Sequence, residues 1–292
     1  MPGTEVSGPR SAGLYGKLPA RGDFLSRRLD NAFVQDWDAW LQRVTAESRE
    51  RLGSQWLEHF LSAPVWRFVL PAGMFSKSAW VGLMLPSVDR VGRYFPLTLA
   101  APLGGENIDA SATLAKALPW LDSLEELALQ ALAPDLDVEA FDSKLMQAAL
   151  PDELPIPLLF ADDTVPLGTP QGAFIVWRLA PDAPEMSVEN LLQEAMIGRR
   201  AASAAWMTRG GDTVAPSVAV CSDLISGIHY CAMLDGRWSE HAWTVAARES
   251  YCDPLLRGVD FASAQGKSAE DPQLSAHPSR EERTAMDTKS EQ

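Results

Sequence analysis

The chain has 292 residues, 46% of them hydrophobic and ten of them Trp, enough apolar matter for one large domain or two small ones. Its formal net charge of −14 argues against a general binder of nucleic acids or acidic membranes. No apolar run reaches the roughly 20 residues that span a bilayer, and the opening MPGTEVSGPR lacks the apolar centre of an export signal, so no direct membrane insertion and a cytoplasmic location are expected.

Residues 1–11 read as a flexible start. Gly13 to Leu18 then reads as a short strand ended by Pro19. Asp30 opens a helix in which Phe33, Trp37, Trp40, Leu41 and Val44 recur at helical spacing, and Gly53 stops it. Trp56, Leu57, Phe60 and Leu61 mark a second short helix closed by Pro64. Three β-rich stretches follow, Val65 to Leu70, Trp80 to Leu85 and Tyr94 to Ala100, whose short separations predict an antiparallel meander. The segment PSVDRVGRYFP between the last two carries clear turn chemistry.

Residues 110–150 return to helix. Leu114, Leu118, Leu121, Leu124 and Leu132 form an apolar face that Pro119 is expected to kink or split, and a second helix carries Phe141, Leu145 and Met146. From Leu150 to Gln171 the chain is Pro-rich and irregular. Phe174 to Leu179 resumes as a strand, and Val188 to Ile197 as a helix capped by Ser187. Ala204 to Thr208, Ser217 to Cys221 and Ile228 to Leu234 read as strands, with Asp235-Gly236 as a hairpin turn placing Arg237 to Val245 beside the last of them. Beyond Pro254 the sequence is polar, and residues 254–292 read as a disordered tail. Strands, helices and strands again predict an α+β fold, an antiparallel sheet flanked by helices. The ordered part spans 12–253, as one unit or as subdomains 12–105 and 106–253.

Little in the sequence points to catalysis or metal binding. Cys221, Cys231 and Cys252 form no CxxC unit and read as buried or indifferent thiols. His229 and Cys231 share a face of the expected strand, but two ligands without a third make a poor zinc site. Gly16-Lys17 is followed by Leu18-Pro19, not by the Ser or Thr that a phosphate loop uses to hold magnesium. Arg21-Gly22-Asp23 reads as a structured loop, not as an adhesion tripeptide. There is no G-x-S-x-G elbow, no H-E-x-x-H and no glycine fingerprint after a strand. Asp162-Asp163 reads as a surface pair. No catalytic residue, metal site or cofactor is assigned.

Residues 1–100 hold 12 Lys and Arg against 9 Asp and Glu, a net of +3, which leaves −17 for residues 101–292. Within the basic third, Lys17, Arg21, Asp23, Asp89, Arg90 and Arg93 form a polar set among aromatics. Arg90 and Arg93 flank Gly92 and run into Tyr94-Phe95-Pro96. Such arginines suit the docking of a partner's carboxylate or phosphate. The competing role is an internal ion pair, Asp23 or Asp89 with Arg93, tying two loops together.

These same residues carry a family resemblance. GLYGKLPARGDFLSRRL, the W-x-x-W-L of Trp37 to Leu41, APVWRFVL at 63–70 and LPSVDRVGRYFPLTLA at 85–100 together resemble the TagF/ImpM family, accessory proteins of bacterial type VI secretion. Agreement extends more thinly through AAWMTRGG and YCAMLDGRW, so the resemblance covers roughly residues 12–245. It implies an α/β sandwich that is longin-like in its first part. It also implies a non-enzymatic cytoplasmic repressor that binds the forkhead-associated scaffold protein of the secretion machine, beside a threonine kinase and phosphatase switch. The alternatives are a structural subunit of the secretion baseplate and a hydrolase with an unrecognised site.

Overall fold

A computed structural model describes residues 10–104, 108–157, 174–178 and 203–246. The expected helix at 188–197 with its Ser187 cap, the Asp162-Asp163 pair, Cys252 and the segment beyond Pro254 lie outside the described residues, as does the Pro-rich connection after residue 157.

The described chain builds one nine-stranded sheet. In chain order its strands are β1 (Gly13–Gly16), β2 (Leu25–Arg27), β3 (Trp66–Leu70), β4 (Trp80–Leu85), β5 (Leu97–Pro102), β6 (Phe174–Arg178), β7 (Ala204–Thr208), β8 (Ser217–Cys221) and β9 (Thr244–Val245). Their order across the sheet is β2-β1-β5-β4-β3-β7-β8-β6-β9. The expected meander is present: β4 pairs antiparallel with both β3 and β5. Every other pairing is antiparallel except β6 with β9. The α+β class with an antiparallel sheet flanked by helices is therefore what the chain adopts.

Alternation along the strands explains the layers, because successive side chains point to opposite faces. Trp66, Phe68 and Leu70 of β3, Trp80 and Met84 of β4, and Trp206 of β7 bury on one face. That face is covered by α1 (Asn31–Leu52), α2 (Trp56–Ser62) and a last helix, α5 (Gly227–Asp235). Val69, Val81, Leu83, Leu85, Leu97, Leu99 and Met207 bury on the other, under α3 (Ala110–Gln130) and α4 (Val138–Gln147). Sandwiched this way, β3, β4, β7 and β8 are buried at every position.

The start of α1 follows its sequence signal. The Asp30 side chain accepts from Ala32 N at 2.7 Å, satisfying one of the orphan amides of the first turn. The spacing of its two tryptophans sends both indoles into the core. Trp37 Nε1 donates to Thr98 Oγ1 on β5 at 2.9 Å, and Trp40 Nε1 to Ile225 O at 2.6 Å. Each thus buries its ring without stranding its one polar atom.

Three expectations fail. First, the split expected as one outcome at Pro119 does not occur: α3 is a single helix from Ala110 to Gln130. Its inner face, with Leu114, Leu118, Leu121 and Leu124 buried against the sheet, holds the helix together across the missing N–H. Arg67, fully buried on β3, adds to that grip: it donates to Asp122 Oδ1 at 2.7 Å and Glu125 Oε2 at 2.8 Å on α3. Second, residues 228–234 are helical. Asp235-Gly236 makes no hairpin: Gly236, at φ 72°, is the left-handed C-cap of α5, and its N–H donates to Ala232 O. Third, residues 238–241 form a 3₁₀ turn, and only Thr244–Val245 are extended, alongside β6. His229 and Cys231 consequently share no strand face.

Candidate functional site

The polar set singled out in the sequence is brought together on two loops, 17–24 after β1 and 86–96 between β4 and β5. Gly16 is where they meet. It has φ 139°, and a Cβ there would lie 2.4 Å from Pro96 O, so only glycine lets the 13–16 strand approach the second loop so closely.

At the centre is Asp89, whose side chain is fully excluded from solvent. Its Oδ2 accepts from Lys17 Nζ at 2.9 Å and Arg93 Nε at 2.7 Å. Its Oδ1 accepts the backbone amides of Val91 at 3.0 Å and Arg93 at 2.9 Å, which closes the 89–93 turn on the carboxylate. Burial alone would raise this carboxyl. The hydrogen bonds from Lys17 and from the Arg93 backbone and side chain more than reverse that and hold it far below the usual carboxylate range.

Further bonds lock one loop onto the other. Ser87 Oγ donates to Lys17 O at 2.7 Å, Arg90 N to Arg21 O at 2.9 Å, and Arg93 Nη2 to Gly22 O. Arg93 also stands 3.9 Å from Asp23. Aromatics cap the cluster. Phe24 stacks on Tyr15 at 5.7 Å, meets Phe95 edge-on at 4.8 Å, and lies 5.0 Å from Lys17 Nζ. Phe95 in turn borders an open groove of about 580 Å³ that Gln42, Thr45, Ala46, Arg49 and Glu50 of α1 complete.

The structure thus sorts the six predicted residues. Lys17 and Asp89, expected on a partner-binding surface, are buried and bonded to each other, so neither reaches a partner. Arg93 is the tie expected of an internal pair, made chiefly to Asp89. Arg21, Asp23 and Arg90 are exposed. Phe24 and Val91, 46% and 66% exposed, were not singled out in the sequence. Both sit directly beside residues that were, and only their solvent exposure marks them.

A second polar group lies at the other end of the sheet. Asp235, buried at the end of α5, accepts from Arg237 Nε at 2.8 Å and sits 2.8 Å from His241 Nε2. His229 faces Ser226 Oγ at 2.9 Å and stacks on Phe174 at 3.6 Å. Burial lowers its pKa, against the opposing pull of the Ala242 backbone and Asp223. Among the described residues, no three His, Cys, Asp or Glu side chains are placed to hold a metal ion, and no helix is long and apolar enough to cross a membrane.

The described residues thus form an α/β sandwich in which two loops are clamped on a buried Lys17–Asp89 pair that Arg93 closes from the solvent side. The model of the TagF N-terminal domain, described as type VI secretion system-associated, matches residues 13–148. The crystal structure of PA0076 from Pseudomonas aeruginosa PAO1 is 34% identical, covers 77% of this chain and 94% of its own, and superposes with a TM-score of 0.60. The chain belongs to the TagF family. No curated protein matches it.

Proposed function

We propose that the chain is a non-enzymatic, cytoplasmic post-translational repressor of bacterial type VI secretion that acts by binding the forkhead-associated scaffold protein of the machine. Family membership carries this proposal, through the match over residues 13–148 and the 34% identity to a solved relative along most of both chains. The character of the clamped loops supports it. Their buried carboxylate is fully committed to hydrogen bonds, a state suited to holding shape and ill suited to exchanging protons with a substrate.

The test is made in the bacterium that carries the chain. Deleting the gene should raise export of type VI substrates, and overproducing the chain should silence it, with the abundance of the machine's components unchanged in both strains. Purified chain should bind purified scaffold directly. Export that ignores both deletion and overproduction defeats the proposal. Stoichiometric copurification with the assembled baseplate would make the chain a structural subunit instead.

A further inference from the structure

The Lys17–Asp89–Arg93 cluster is a frame, and two of the cations beside it are unpaired among the described residues. Arg21 and Arg90 are exposed, and neither guanidinium has a hydrogen bond or ion pair among the described residues. Arg90 lies over the other loop, its Nη2 3.9 Å from where a Cβ on Gly22 would stand. Phe24 and Val91 each follow an arginine within three residues; Val91 is largely open to water, and Phe24 exposes about half of its surface while the rest packs on Tyr15 and Phe95. Asp23 is the one acid on this surface of the two loops, and Arg93 offsets it. The surface therefore keeps two uncompensated positive charges next to two large apolar side chains.

We infer that Arg21, Phe24, Arg90 and Val91 form a docking surface for an acidic segment of a partner protein that also carries an apolar side chain. Charge selects the partner's sign: the surface is cationic, and it lies in the third of the chain with net +3 against −17 elsewhere. The apolar pair selects its kind. A free phosphate or a polyanion offers nothing for Phe24 and Val91 to cover, whereas a protein segment supplies carboxylates for the two Arg forks and an apolar group between them. The net charge of −14 repels nucleic acid from the molecule as a whole. Rigidity favours the use as well. With both loops held by hydrogen bonds at the frame, little ordering entropy remains to be lost on binding. The groove beside Phe95 gives a bound segment room to continue along α1.

This inference rests on the proposed binding to the scaffold, and one experiment separates the two. The affinity of the full chain for purified scaffold is measured at two salt concentrations for the wild type, Arg21→Glu/Arg90→Glu, Val91→Asp, and Arg43→Glu on the exposed face of α1 as a charge-reversal control outside the proposed surface. Each variant's melting temperature is recorded alongside. The double variant should bind roughly tenfold or more weakly with an unchanged melting temperature. Val91→Asp should weaken binding at both salt concentrations, and Arg43→Glu should match the wild type. A wild type that does not bind overturns the scaffold proposal and this surface with it. Wild-type binding that survives in the double variant, or is lost only together with thermal stability, overturns the surface alone. Displacement by millimolar inorganic phosphate as effective as the double substitution also overturns it, since a simple anion site would then suffice.

Discussion

Asp89 shows how one residue divides structure from binding. Its carboxylate accepts four hydrogen bonds, so the turn it closes is held most firmly while it is charged. The folded state depresses its pKa. Its contribution to stability is therefore fully present above the unfolded-state value near 3.8 and is lost as pH falls through the native value. Wild type and Asp89→Asn should differ most in melting temperature at neutral pH and converge below about pH 4; a gap that stays constant into strong acid would mean the carboxylate is not charged in the fold. Removing Lys17 leaves that buried charge without its ammonium partner. Lys17→Met should therefore lower stability more than Arg93→Ala, whose guanidinium is half-exposed. His229 has the opposite chemistry and the same sign. Burial favours its neutral form, so stability is full above about pH 6.5, the unfolded-state value, and falls as pH drops below it. Thermal melts of wild type and His229→Phe should shift in favour of the variant between pH 7 and pH 5. Parallel curves would show that His229 titrates as it does in the unfolded chain.

At the scale of elements, legibility followed the burial pattern. Helix α1 was readable because one face is buried and the other wet, so Trp37, Trp40 and Val44 stand out at helical spacing. The strands of the meander were readable from their β-branched and aromatic content. Helix α5 was not, because Tyr230 to Asp235 are all buried and a helix covered on every side shows no period. Its Asp-Gly ending compounded the error, since a glycine at positive φ serves a helix C-cap as well as a hairpin. Strand β2 is three residues long and rides on β1, too short to signal itself. Two substitutions test these elements. Trp37→Ala should cost about 3–5 kcal/mol in chemical denaturation, the usual range for a buried aromatic, because Trp37 packs against Phe33, Trp40, Phe68 and Phe75. A loss below about 1 kcal/mol would place that ring in a collapsible site. Gly236→Val should be destabilising on two counts: a branched residue at φ 72°, and a Cβ that would lie 2.6 Å from Thr213 O.

For the whole molecule, the sequence yields the class of fold but not how its halves are joined. The candidate site was half legible: the charged residues were visible as a set, yet which were buried depended on a loop-to-loop contact 70 residues apart in sequence, and no local pattern encodes that. The same non-local logic governs the sheet. Strand β3 lies between β4 and β7, so the strands before residue 105 and those after 203 share one ladder. Trp206 of β7 completes the aromatic cluster of Trp37, Trp40 and Phe68, and Trp66 of β3 donates to Met233 O on α5. A fragment ending at residue 157 would keep everything the family model matches and still lose β7, α5 and the cover they give to β3. Its exposed β3 edge would then offer unpaired backbone groups beside bare tryptophans, a template for association. Such a fragment should self-associate in size-exclusion chromatography and unfold without a sharp transition, while the full chain unfolds cooperatively. A monomeric fragment with a cooperative melt would instead show that the first half folds alone and that β7 merely docks onto a finished domain.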